Sequence, residues 1–434
     1  MAKAKRVHYC TACGYESAKW LGKCPSCEAW NTFEEHVVAA KGTDHKAKTG
    51  SGDSNRPVRL SDVAPDEAKR WSTGSAELDR VLGGGLVRGS FVLLGGDPGI
   101  GKSTLALQVA SHLSDVSVWY ISGEESGAQL RQRADRLGMS ANKILLSHET
   151  DMLQLAETVK VDPPDVLIID SIQTVYRSDL DPLPGSVTQI RESAAVLQRI
   201  AKQQGITVLI IGHVTKDGEL AGPRVLEHMV DAVIQFEGDG HAMYRLLRTS
   251  KNRFGPSGEI GVFRMDEGGL VDVDQPSDIF LADYNPDTSG TALSVVLEGT
   301  RPLVIEVQAL VTSATYATPQ RTATGIDQKR VQMLIAVLEQ RVKIAFTQKD
   351  VFVNVVGGLK IQDPSLDLAI CMALVSAWMD QPLKKGSVYI GEVGLGGEVR
   401  AVPMLERRVK EAKRSGFGQV VVPGKSLKDI VKAI

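Results

Sequence analysis

No apolar run in the 434-residue sequence is long enough to span a bilayer, so neither a helical membrane span nor a membrane partner is expected. Met1 to Arg6 lead into cysteines and not into the apolar core of a signal peptide, and the expected location is the cytoplasm. Basic charge is not in excess either. The formal net charge of −2 excludes a generally basic nucleic-acid coat and confines any DNA-binding surface to local patches. Cysteine is almost absent outside one short segment, which holds four of the five. What remains is 43% hydrophobic and 24% charged, the composition of globular protein, in a chain long enough for two or three domains.

The cysteine segment is Cys10-x-x-Cys13 followed by Cys24-x-x-Cys27. In a reducing compartment two such knuckles point to Zn²⁺ held by four thiolates in a zinc ribbon, over residues 1–30. A disulfide pair is disfavoured there, and a redox dithiol is the other alternative. Gly14 and Gly22 allow tight turns near the sulfurs. The segment has few apolar residues, so metal would supply much of its folding energy. Lys3, Lys5, Arg6, Lys19 and Lys23, interleaved with Tyr9, Tyr15, Trp20 and Trp30, suit nucleic-acid contact and a protein-docking rim equally. Residues 31–58 read as a flexible linker, since Lys41 to Gly52 carry neither an aromatic residue nor a periodicity. His36 and His45 fall in it as solvated residues.

Residues 59–275 alternate short apolar runs with helical patterns, as a parallel α/β sheet does. The run Phe91 to Leu94 is followed by Gly96, Asp97, Pro98, Gly99, Ile100, Gly101, Lys102, Ser103 and Thr104, which fit G-x-x-x-x-G-K-[ST]. A helical pattern over 105–110 comes next. Strand, glycine-rich turn and helix N-terminus together form a phosphate cradle, so a nucleoside triphosphate is the expected ligand. Lys102 reaches the β- and γ-phosphates, and Ser103 offers a hydroxyl to Mg²⁺ with Thr104 beside it.

Three further strands read as Val116 to Ile121, Val166 to Ser171 and Thr207 to Ile211, each with polar residues at its carboxyl end, where open α/β sheets bind ligands. Asp170 suits a carboxylate supporting the Mg²⁺ shell. Glu124 or Glu125 suits the base that orients the attacking water, with Glu124 preferred. An acid in such a place can also be a helix cap.

The P-loop, the strand-end glutamates, Asp170 and the stretch His213 to Gly218 together resemble the RecA-type ATPases. Lys251-Asn252-Arg253-Phe254-Gly255, the four-cysteine cluster and the order of domains resemble the bacterial RadA (Sms) family over essentially the whole chain. That resemblance implies an ATP-hydrolysing, DNA-dependent helicase or translocase, using ATP, Mg²⁺ and Zn²⁺. It would process recombination intermediates and promote branch migration in homologous recombination and DNA repair. The implied partners are single-stranded and branched DNA, RecA recombinase, and further copies of the chain in a hexameric ring. Lys251 and Arg253 are expected in a turn beyond the sheet, from which two cations can reach a neighbouring subunit's γ-phosphate. A pair of solvated or phosphate-contacting cations is the alternative. By position, Lys216 and Arg224 resemble the DNA-contacting loops of RecA-like proteins, where they would meet a DNA backbone.

A domain of different pattern occupies 279–434. Strands at Val295 to Gly299 and Leu303 to Val307 are expected around a tip at Thr300 to Pro302, with helices over 329–339 and 365–375. This α+β region resembles the proteolytic domain of Lon, whose members use a Ser–Lys dyad. Ser365 falls at the nucleophile, but Glu406 falls where the lysine belongs and Lys410 lies a turn further on. A serine without its base is a poor nucleophile, so Ser365 is expected as a helix N-cap and the domain as non-proteolytic. Cys371 lies in an apolar run and is expected in the core. The expected fold is thus α/β, a RecA-like P-loop ATPase with an N-terminal zinc ribbon and a C-terminal Lon-like domain. An ATP-dependent peptidase and a nucleotide-switched interaction protein are the competing functions.

Overall fold

A computed structural model of the chain describes residues 5–10, 16–17, 19–25, 30–38, 69–113, 115–139, 143–213, 225–237, 244–314, 318–358 and 360–433. It divides into one compact unit of residues 1–257 with 263–272 and a second of 258–262 with 273–434.

At the N-terminus, β1 (Lys5–Cys10) pairs antiparallel with β2 (Glu16–Ser17) and with β3 (Phe33–Val38). The ladder to β3 runs from Cys10↔Phe33 to Lys5↔Val38, so the ribbon's sheet takes in residues read above as linker. Cys10 and Cys24 are buried in one small cluster with Phe33. Cys13, Cys27 and residues 39–58 lie outside the described residues.

A short hairpin, β4 (Arg70–Trp71) with β5 (Leu86–Val87), brackets α1 (Ala76–Leu82). The main sheet then uses β6 (Phe91–Gly95), β7 (Val118–Ser122), β8 (Ile144–Ser147), β9 (Val166–Asp170), β10 (Thr207–Ile211), β11 (Ala232–Glu237), β12 (Tyr244–Asn252), β13 (Ile260–Asp266) and β14 (Gly269–Asp272). Its order is β14-β13-β12-β11-β6-β10-β9-β7-β8. From β11 to β8 every pair is parallel. The connections carry α2 (Lys102–His112), α3 (Gly127–Arg136), α4 (Met152–Val161), α5 (Val187–Gln204) and α6 (Val225–Met229).

Helices cover both faces, so β6, β7, β9 and β10 are buried throughout and read as unbroken apolar runs. Successive side chains still alternate. Val92 and Leu94 pack with Leu105 and Val109 of α2, while Phe91 and Leu93 pack with Ile190 and Leu197 of α5. Helix starts are capped where the sequence supplies an oxygen. Ser126 forms a reciprocal capping box with Gln129 at α3, and Ser186 accepts from the Gln189 amide at α5. Because β6 lies between β10 and β11 while its own chain leaves toward β7, its carboxyl end is the crevice where strand order reverses.

The second unit holds α7 (Pro276–Phe280), β15 (Thr291–Glu298), β16 (Arg301–Ser313), β17 (Arg321–Thr324), α8 (Gln328–Val337), β18 (Lys349–Val355), α9 (Asp367–Met379), β19 (Ser387–Tyr389), the pair β20 (Glu392–Val393) and β21 (Val399–Arg400), α10 (Leu405–Arg414), β22 (Gln419–Val421) and α11 (Leu427–Val431). Its six-stranded sheet runs β17-β18-β16-β15-β19-β22. The β15–β16 hairpin closes at Glu298↔Arg301, so its tip is Gly299-Thr300 and not 300–302. Gly299 has φ 60°, a value glycine adopts without strain, and that permits the shorter turn. Helix α9 is buried from Asp367 to Ser376, and burial pushes the Cys371 thiol well up, as a core cysteine requires.

Candidate active site

Between β6 and α2 the chain turns through 96–101 around buried Ile100, whose carbonyl accepts from Nε of Arg245 on β12 at 3.2 Å. Gly101 has φ 118°, and a Cβ there would meet the Met265 methyl at 2.9 Å, so glycine is needed where loop becomes helix. As N-cap it has no side chain with which to satisfy the first amides of α2. The Leu105 amide is the first to reach back, to the Gly101 carbonyl, which leaves the preceding amides as donors for an anion. Lys102 curls over the loop, donating from Nζ to the carbonyls of Gly96 and Asp97 at 2.8 Å each. Burial lowers its ammonium from the usual lysine value, while Asp170, Glu124 and Asp97 act in the opposite direction. The Ser103 hydroxyl has no hydrogen bond among the described residues, so it is available to a ligand.

Strands β7 and β9 are in register at Ser122↔Asp170, so their carboxyl ends stop side by side. The Gly123 amide donates to the Asp170 carbonyl at 2.9 Å. A Cβ on Gly123 would lie 2.1 Å from Thr174 Oγ1, so only glycine permits this approach. Asp170 is buried, and Oη of Tyr120 donates to its Oδ2 at 2.5 Å. Glu124 Oε1 accepts from Ser171 Oγ at 2.6 Å and lies 3.3 Å from His213 Nε2. Burial pushes the Glu124 carboxyl up, but the Ser171 and His213 hydrogen bonds and the His213 and Lys102 charges carry it below the ordinary glutamate range. Glu125 goes elsewhere, into an ion pair with Arg133 of α3 at 2.5 Å. The two adjacent glutamates are thereby separated, Glu124 toward Lys102 and Glu125 onto a helix.

Lys251 lies within β12 opposite Val233 and not in a turn beyond the sheet, because the strand continues through Asn252. Its Nζ donates to the carbonyls of Glu227 and Val230 at 2.6 and 2.7 Å, closing the end of α6. Burial, and then the Arg253 charge, lower its ammonium. Arg253 follows the strand with its side chain 60% exposed, 3.5 Å from buried Asp231, which also pairs with Lys202 at 2.5 Å. Lys216 and Arg224 lie outside the described residues.

In the second unit Ser365 is no N-cap. Asp363 caps the short turn of residues 364–366 by accepting from the Ser365 amide, and the Ser365 hydroxyl donates to the Val295 carbonyl at 3.1 Å. That hydroxyl is fully buried, and its basic neighbour is Arg408, with Nη1 at 2.7 Å. Neither Glu406 nor Lys410 supplies its contact. Arg408 also binds Asp363 at 2.6 Å and the Pro403 carbonyl at 3.0 Å. Arginine keeps its proton, so this neighbour cannot serve the serine as a general base.

The donors fit the ligands they imply. Free amides and an ammonium suit phosphates, and the Ser103 hydroxyl with the Asp170 carboxylate provides the oxygen ligands Mg²⁺ takes. Buried Cys10 and Cys24 lie in one cluster and offer sulfur, a ligand type Zn²⁺ takes. Sequence reasoning missed Tyr120, Ser171, Arg245 and Arg408. Only Tyr120 left a signal, since a tyrosine inside an apolar strand needs a partner for its hydroxyl.

Three families match the chain in succession: a rubredoxin metal binding domain at residues 8–35, an AAA domain at 54–219, and subunit ChlI of Mg-chelatase at 308–426. The DNA repair protein RadA of Bacillus subtilis is 47% identical over 431 residues, covering 98% of this chain and 94% of its own. That of Listeria monocytogenes is 47% identical over 427 residues, covering 98% and 93%. Among solved structures, a RadB recombinase matches 47% of this chain and 99% of its own at 26% identity, with a TM-score of 0.38.

Proposed function

The chain belongs to the family of DNA repair protein RadA, with a RecA-like ATPase core, and from that premise we propose that it uses ATP to move DNA strands at recombination junctions. The carrying observation is the convergence of Lys102, Asp170 and Glu124 at the crevice beside β6. Lys102 and the first amides of α2 hold the triphosphate and draw charge from it. Ser103 and Asp170 would hold Mg²⁺, which when bound neutralises developing phosphate charge. Glu124, kept ionised by its neighbours, accepts a hydrogen bond at a carboxylate oxygen from the attacking water and orients it. Arg253, exposed past β12, reaches the γ-phosphate of an adjacent copy in a hexameric ring, with Lys251 setting the end of α6 behind it. Lys216 and Arg224 contact the DNA backbone, and the ribbon holds Zn²⁺ through Cys10, Cys13, Cys24 and Cys27. RecA recombinase is the proposed protein partner, in the cytoplasm.

ATP turnover by the full chain, measured with and without single-stranded DNA and alongside displacement of a labelled strand from a branched junction, tests this reading. Stimulation of both is expected. Turnover indifferent to DNA, with no strand displacement, would favour a nucleotide-switched interaction protein.

A further inference from the structure

A single tyrosine reaches from the apolar core of the first unit into the nucleotide crevice. Tyr120 is the third residue of β7, fully buried and packed in the same core as Leu107 and Leu130. Its ring has the place an isoleucine or phenylalanine would fill, but its hydroxyl does something neither could. Oη donates at 2.5 Å to Oδ2 of Asp170, across the parallel pairing of β7 with β9. Asp170 makes no other side-chain hydrogen bond among the described residues, and among them Oδ1 has no partner. The two carboxylate oxygens are therefore unequal, one held by the fold and the other presented to the crevice.

We propose that Tyr120 is the positioning residue of the metal-supporting carboxylate, locking Asp170 through Oδ2 so that Oδ1 alone meets the hydrated cation. The ring cannot follow a wandering carboxylate, since its faces are clamped by core side chains. A carboxylate with both oxygens free would rotate between orientations and lose affinity for a cation that demands near-octahedral oxygen geometry. Outer-shell partners of this kind typically contribute about 10–100-fold to metal affinity or activity.

The inference rests on the Mg²⁺ role of Asp170, and the test separates the two. Binding of a fluorescently labelled ADP to the full chain is followed while Mg²⁺ is titrated, for wild type, Tyr120→Phe, Asp170→Asn and the double variant. Tyr120→Phe should raise the half-saturating Mg²⁺ concentration about tenfold. Labelled-ADP affinity in EDTA should stay at the wild-type value, and the melting temperature in EDTA should fall by no more than the loss of one hydrogen bond brings. ATPase turnover should recover at high Mg²⁺. In the Asp170→Asn background the tyrosine change should add nothing, because both act through one carboxylate. A half-saturation within twofold of wild type would show Tyr120 to be packing only. If Asp170→Asn itself leaves the Mg²⁺ dependence unchanged, the metal role of Asp170 fails first and the inference with it. Should Tyr120→Phe lower the EDTA melting temperature by more than that, fluorotyrosine placed at position 120 keeps the ring and strengthens the donor. Its Mg²⁺ half-saturation must then shift from wild type, and an unchanged value overturns the proposal.

Discussion

The Arg408 guanidinium donates to the Ser365 hydroxyl at 2.7 Å and to the Asp363 carboxylate at 2.6 Å, with both Ser365 and Arg408 buried. An arginine thus stands where a serine peptidase needs a base, and the serine is fully buried.

Ser365→Ala should remove one hydrogen bond at a cost of about 1 kcal/mol and leave DNA-stimulated ATPase activity unchanged. Arg408→Ala should cost about 3–5 kcal/mol, because it strands the Asp363 carboxylate without its cation. Thermal unfolding of the purified chain reads both. Release of labelled peptides from an unfolded protein should be nil for wild type. ATP-dependent release that vanishes in Ser365→Ala would restore the peptidase reading.

Glu124→Gln should lower single-turnover hydrolysis by about 10²–10⁴-fold without weakening ATP binding. Glu125→Gln should leave hydrolysis within a few-fold and loosen α3, since its partner is Arg133. The Glu124 carboxyl lies below the ordinary glutamate range in the folded chain, so its ionised form and the stability that form contributes persist until pH falls through that lowered value. Acidification to about pH 5 should therefore not protonate it. An acid limb of turnover above pH 5 that disappears in Glu124→Gln contradicts this, and so does a reversal of the two variants' effects.

Arg253→Ala should bind ATP normally yet hydrolyse it about 10³-fold more slowly, as loss of an arginine finger does. Lys102→Ala should instead lose binding within its own subunit. Mixing the two variants under subunit exchange should restore part of the turnover, because some interfaces then combine an intact P-loop with an intact Arg253. Exchange demonstrated by labelled subunits without any recovery would assign Arg253 to its own subunit's Asp231, 3.5 Å away. Lys251→Ala is expected to do more damage to folding than Arg253→Ala, since its ammonium holds two carbonyls at the end of α6.

Strand β10 was legible in full, and β6, β7 and β9 to within two residues, because an apolar run covered by helices on both sides cannot be mistaken for an amphipathic element. The ends were less legible. Lys251-Asn252 reads as a turn by its polarity, yet the ladder with β11 carries the strand through both residues and the ammonium finds carbonyls to cap. Gly299 shortened a hairpin tip that the apolar pattern alone had placed one residue too late.

By itself the sequence determined the phosphate loop and the Asp170 strand end, since each depends on residues a few positions apart whose spacing is set by the local backbone. Tertiary structure alone decided which glutamate lies toward Lys102, which residue holds Asp170, and what stands at Ser365. Glu124 and Glu125 are chemically identical neighbours, and only Ser171, His213 and Arg133, brought in from other elements, tell them apart. Tyr120 and Asp170 are 50 residues apart, and Ser365 and Arg408 are 43. Such pairs are made by how strands and helices pack, and packing leaves no periodic trace in the chain.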